Sequence, residues 1–166
     1  MRYMPVAVAA SLALVSISTS LQGQRAAPPI DPRSLQLLAD GRAARAAGDL
    51  NGAVDAFETA VAVDPRNRAA FVALADAAEA RGLPGKAIRL YREALLLDPN
   101  DVTALAGQGE ALVAKGAVNR ARENLAKVRA LCKTGCAPAT QLAAAIAKGP
   151  PVATAQVTPK PTTQTP

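Results

Sequence analysis

The chain has 166 residues, a net charge of +6 and an apolar fraction of 50%, but only 2% aromatics and no Trp. Forty of its residues are alanine, so a single folded unit is expected, with a core of closely packed helices rather than a few large anchors. The absence of His, with only two Cys, excludes Ser-His and Cys-His catalysis, His-ligated metals, c-type haem attachment and a four-cysteine zinc site, and no metal or cofactor is predicted.

Residues 1–20, MRYMPVAVAASLALVSISTS, begin with a positive charge at Arg2. An uncharged run from Val6 to Ile17 follows, and the small residues Ser18 and Ser20 stand before a cut after Ser20, or after Gly23. This is the anatomy of a secretory signal peptide. The apolar run is shorter than the roughly 20 residues that span a bilayer, so cleavage is favoured over an uncleaved membrane anchor, and the mature form is not expected to span the membrane. Export would bring the chain to an oxidising compartment, expected to be a bacterial periplasm. Residues 21–33, LQGQRAAPPIDPR, carry three prolines and read as a linker.

From residue 34 the sequence repeats. Gly48, Gly82 and Gly116 are spaced by 34 residues, as are Ala53, Ala87 and Ala121, and Phe57, Tyr91 and Leu125. Asp-Pro recurs at Pro65 and Pro99. Within a period the pattern is helix, turn, helix. Phe71, Leu74, Ala75 and Ala78 fall on one helical face, Gly82 stops that helix and Pro84 opens the next at a position where its missing N–H costs nothing. Ala87, Leu90, Tyr91, Ala94 and Leu95 make the second apolar stripe, which ends before Pro99. Ala53, Ala87 and Ala121 mark close helix crossings; Ala77 lies outside the recurring columns and is expected to tolerate a larger side chain.

This pattern resembles the tetratricopeptide repeat, W-x2-L-G-x2-Y, A-x3-F, P. Matching residues are Leu37, Gly41, Ala44, Ala53, Phe57, Ala60 and Pro65 in the first unit; Phe71, Leu74, Ala75, Ala78, Ala87, Tyr91, Ala94 and Pro99 in the second; Leu105, Gly109, Leu112, Ala121, Leu125 and Val128 in the third. Asp40 and Gln108 replace the motif's Leu, and Lys133 its Pro. The resemblance implies an all-α solenoid of three units, 34–67, 68–101 and 102–135. The same register places Leu142 and Ile146 on a capping helix over 137–148, opened by Pro138 and ended by Gly149, which closes the stack as terminal units require. The folded domain is thus 34–149, and residues 150–166, with five Pro and five Thr, read as a tail unable to bury a core.

The resemblance also implies a role, protein–protein interaction or scaffolding without catalysis, through a concave groove lined by the first helix of each unit. Carried over by repeat phase, the groove residues are Leu38, Arg42, Arg45, Val72, Asp76, Glu79, Ala106 and Glu110. The family's basic carboxylate clamp is not expected, because its positions hold Leu38, Arg42, Ala73, Thr103 and Gly107. Ser34, the only Ser after residue 20, has no base to activate it.

Charge is uneven. Residues 31–110 carry nine Lys/Arg and twelve Asp/Glu, whereas 115–160 carry eight Lys/Arg and only Glu123. Arg120, Arg122, Lys127, Arg129 and Lys133 form a basic patch that would attract an anionic lipid, a cell-wall polymer or an acidic protein; nucleic acid is not expected, since no aromatics interleave with these cations. Cys132 and Cys136 flank a turn at Gly135, and a disulfide stapling the cap is favoured over a reactive pair or free thiols, because redox-active pairs use C-x-x-C. The partner, an unknown protein or peptide, is not specified by the sequence.

Overall fold

A computed structural model describes residues 28–132 and 135–151. Within them are seven helices and no strand: α1 (Pro32–Ala46), α2 (Leu50–Val63), α3 (Arg68–Ala80), α4 (Pro84–Leu97), α5 (Val102–Ala114), α6 (Val118–Leu131) and α7 (Ala137–Lys148). The segments assigned to the signal peptide, most of the linker and nearly all of the tail lie outside the described residues.

The helix boundaries follow from local chemistry. Asp49, Asn67 and Asp101 cap α2, α3 and α5 by accepting backbone N–H groups with their side chains, satisfying donors that a helix start leaves open. Gly48, Gly82 and Gly116 adopt φ values of +85°, +70° and +78° where α1, α3 and α5 turn back, a region that Cβ-bearing residues avoid. Pro84 and Pro138 sit in the first turns of α4 and α7. α1 begins at Pro32, earlier than the repeat phase suggests, because Asp31 caps it and is held by its own N–H donating to Asp64 Oδ2 at 2.9 Å.

Helices pack as the pairs α1/α2, α3/α4 and α5/α6, with α7 against both members of the last pair. Across units, α1 touches α3, α3 touches α5 and α5 touches α7, whereas α2, α4 and α6 do not touch one another. The stack therefore curves toward α1, α3, α5 and α7, which form its inner face.

The core is small-residue packing. Ala53, Ala87 and Ala121 are each fully buried, as are Phe57, Val128 and Leu142. Gly41 lies so close to the Phe57 ring that a Cβ would overlap it. Ala77, expected to be permissive, is instead fully buried between α3 and the first unit. It sits on the flank of α3 that the preceding repeat covers, a surface that exists only once the units stack.

Buried polar groups close the remaining gaps. Ser34 Oγ donates to Ala60 O at 2.7 Å and accepts from Asn67 Nδ2 at 2.8 Å, so this serine ties α1 to the first unit's second helix and the next unit's cap. Gln108, the departure from the motif's Leu, is buried and accepts from Asn124 Nδ2 at 3.1 Å, while that amide also donates to Leu105 O. Two amides thus replace an apolar contact between α5 and α6, consistent with the rule that buried polar groups need partners.

Candidate functional site

The inner face carries two adjoining concavities, of about 330 and 260 Å³, which share Asp76 and Thr103. Their walls come from successive first helices because each such helix projects residues four apart to one side. The smaller concavity is mixed, with Arg42 and Arg45 from α1 and Arg68 from α3 facing Asp76 and Asp101, which pair with Arg45 and Arg68. The larger is acidic, with Asp76 and Glu79 from α3 and Glu110 from α5, and is closed by Gln141 and Pro138 of α7. Arg45 Nη1 stands 3.5 Å from Asp76 Oδ2 and joins the two ends.

Of the residues assigned to the groove by repeat phase, Arg42, Arg45, Val72, Asp76, Glu79, Ala106 and Glu110 line these concavities. Leu38 does not. It is 4% exposed and packs in the first unit's core, because at the open end of the stack α1 must turn its apolar positions onto α2 and α3. Among the clamp positions, Arg42, Ala73, Thr103 and Gly107 border the concavities, so the surface there offers one cation among small neutral groups.

By its spacing Tyr91 belongs to an apolar stripe. Its ring is buried, but its hydroxyl reaches the acidic concavity, 2.6 Å from Asp76 Oδ1 and 2.9 Å from Glu79 Oε2. Gly107 makes room for it, since a Cβ there would overlap the phenol. The one sequence signal is that Tyr91 stands where the other units have Phe57 and Leu125. Burial pushes the Glu79 carboxyl up to about 7, opposed by the Tyr91 hydrogen bond and reinforced by the charges of Glu110 and Asp76. Burial, then the Asp76 charge, also pushes Glu110 up, and burial with the two carboxylates pushes the Tyr91 phenol up, so it stays protonated. Among the described residues no group of Cys, Asp and Glu is arranged to hold a metal ion.

Outside the groove, Arg120, Arg122, Lys127 and Arg129 are exposed along α6, while Lys133 lies outside the described residues. Cys132 and Cys136 are joined in a disulfide between the end of α6 and the start of α7. No described helix is long and apolar enough to cross a membrane.

A stack of helix pairs with a concave inner face of mixed charge defines a helical-repeat module. The chain belongs to the tetratricopeptide repeat family, whose model matches residues 38–101 and 73–133, and domains of this family mediate protein–protein interaction, including peptide binding. No curated protein matches the sequence. Among solved structures, it is similar in fold to the Sgt2 TPR domain from Aspergillus fumigatus, with 24% identity, a TM-score of 0.66, and coverage of 76% of this chain and 83% of that one. It is also similar to the first TPR of Spaghetti (RPAP3) bound to the HSP90 peptide SRMEEVD, at 21% identity and a TM-score of 0.65, covering 70% and 91%. A third is the TPR2B domain of yeast Sti1 in a complex with pHsp70, at 20% identity and a TM-score of 0.66, covering 71% and 98%.

Proposed function

We propose that this chain is a non-enzymatic interaction module of the cell envelope whose concave face holds a peptide segment by a basic side chain. The observation that carries this reading is the convergence of Asp76, Glu79 and Glu110 on one concavity that no Lys or Arg lines, Arg45 reaching Asp76 from the adjoining one. A Lys or Arg entering there gains complementary charge in a half-buried setting, where screening by water is weaker than on an open surface. At the other end Arg42, which belongs to none of the ion pairs among the described residues, would hold an acidic side chain of the same segment, Arg68 being paired with Asp98 and Asp101. The RPAP3 domain similar in fold is bound to an acidic peptide, SRMEEVD; the carboxylates in this groove favour the opposite sign.

The envelope assignment is supported by the signal-like residues 1–20 and by the Cys132–Cys136 disulfide, since such links persist in oxidising compartments. Mass spectrometry of the natural N-terminus separates the exported form, starting near Leu21 or Gln24, from a tethered assembly factor that keeps residues 1–20.

The binding test uses a panel of otherwise identical peptides carrying Lys, Gln or Glu at one position. The Lys peptide should bind tightest, and Glu110→Gln should weaken it by up to about fivefold, the worth of an exposed charge pair of about 1 kcal/mol. Equal affinity for the Lys and Glu peptides would refute the reading.

A second reading rests on α6. None of the five ion pairs among the described residues involves Arg120, Arg122, Lys127 or Arg129. Four exposed cations without acidic partners suit an anionic lipid or cell-wall polymer. Co-sedimentation that disappears with added salt is its sign, and salt-insensitive sedimentation would count against it.

A further inference from the structure

The Tyr91 hydroxyl is 2.6 Å from Asp76 Oδ1 and 2.9 Å from Glu79 Oε2. A phenol has one proton and can donate it once. It can hydrogen-bond to both carboxyl groups only if one of them carries a proton and donates that to the phenol oxygen. Asp76 has a counter-charge at its other oxygen, Arg45 at 3.5 Å. Glu79 belongs to no ion pair among those described. The proton therefore resides on Glu79.

We propose that Glu79 and Tyr91 form a proton-holding pair in the wall of the concave groove, so that the groove's negative charge, and with it its affinity for a basic segment, increases when Glu79 releases that proton. The affinity half rests on the peptide reading above; the proton-holding half does not.

The surroundings support the pair from each element packed against it. On α3 itself Asp76 is one turn away, α4 supplies Tyr91, α5 supplies Glu110, and α1 supplies Arg45 with Arg42 farther along the groove. α7 adds only the uncharged Pro138 and Gln141 to this wall, its Lys148 facing the next cavity with Glu110. No residue of α2 lines either concavity; of its two carboxylates, Glu58 is paired with Lys86 at 3.0 Å and Asp55 is exposed. Three carboxyl groups facing one close guanidinium favour proton uptake, and burial of Glu79 sets its titration at about 7.

The test is the carboxyl ¹³C titration of Glu79 in the whole chain. The midpoint should lie near 7 instead of the ordinary 4.5. In Asp76→Asn it should fall by about one unit, because the like charge beside Glu79 is gone. Glu79→Gln presents an amide that donates to the phenol as the protonated acid does. With it, the wild-type loss of thermal stability between pH 5 and 8 should flatten, and so should the severalfold gain in affinity for the Lys peptide between pH 5.5 and 8. A Glu79 midpoint near 4.5 overturns the proton-holding pair whatever the variants do. A midpoint near 7 with equal peptide affinity at both pH values overturns the link to binding. A midpoint near 7 with no peptide binding at any pH overturns the peptide reading and leaves the proton-holding pair standing.

Discussion

Leu142 on α7 rests its methyl groups against Gly109 on α5, so closely that a Cβ at Gly109 would stand 2.6 Å from Leu142 Cδ2. Leu142 is the fully buried side chain of its helix, and the missing Cβ of Gly109 is what lets the cap settle on the third unit.

Gly109→Ala should therefore destabilise the domain, although alanine is the better helix former by about 1 kcal/mol. Overpacking of a buried site costs roughly 1–3 kcal/mol, leaving a net loss of about 1 kcal/mol. Gly85 is the contrast. It lies in the first turn of α4, with ordinary φ, and a methyl group added there would meet nothing within 4 Å. Gly85→Ala should stabilise by about 0.5 kcal/mol by restricting the unfolded chain. Thermal unfolding of the two variants should shift in opposite directions; shifts of the same sign would refute this account of the cap.

The close crossings make a second prediction. Ala87 is fully buried where α4 meets α3 and α5, and Ala87→Leu should cost roughly 1–3 kcal/mol. Ala126 is exposed on α6, and Ala126→Leu should stay within about 0.5 kcal/mol of the parent. Urea unfolding midpoints measure both. Equal losses would mean that the alanine column does not mark the crossing.

The helix pairs are legible in the sequence because their signals are local. Gly82 at positive φ, Pro84 in a first turn and Asp98 before Pro99 each act within a few residues. The inner face is legible through the family resemblance, whose groove positions, carried over by repeat phase, include Asp76, Glu79 and Glu110. Errors arise where a neighbouring unit decides the environment. Ala77 meets the preceding repeat, and Leu38 turns into the core at an end where no earlier unit exists. Tyr91 is half legible: its ring obeys the apolar stripe, but its hydroxyl finds the groove only because Gly107, on the next unit, leaves space for it. Gln108 looks like a departure and is a paired one, since Asn124 answers it from a position that apolar periodicity cannot flag.

Acid should weaken the first junction between units. Hydrogen bonds from the Arg66 side chain, then from the Asp31 and Arg66 N–H groups, hold the Asp64 carboxyl down at about 2 from its usual 3.8. The unfolded chain binds the proton first, so this carboxylate stabilises the fold above pH 4, and that contribution is lost as pH falls toward 2. Asp64→Asn should lower stability at pH 5 and reduce the acid dependence between pH 4 and 2, measured by urea midpoints at each pH. An unchanged acid slope would show that the Arg66 and Asp31 contacts do not hold the charge.

The disulfide gives the last prediction. Cys132 and Cys136 link the end of α6 to the start of α7, and both pack beside Leu105, Ala106 and Val128. The closed loop is short, so replacing both by Ser should cost up to about 2 kcal/mol by loop-closure entropy. The loss should be local. α7 touches only α5 and α6, and repeat stacks couple mainly between neighbours. Hydrogen exchange should therefore rise most over residues 137–148 and scarcely change around Phe57, which lies in the first unit's core. The helix should loosen without leaving, because Leu142 still has its seat on Gly109. A reductant on the parent chain should reproduce the pattern. Exchange rising equally in all units would mean that the link stabilises the whole stack rather than its cap. An unchanged pattern would mean that the Leu142 contact holds α7 without it.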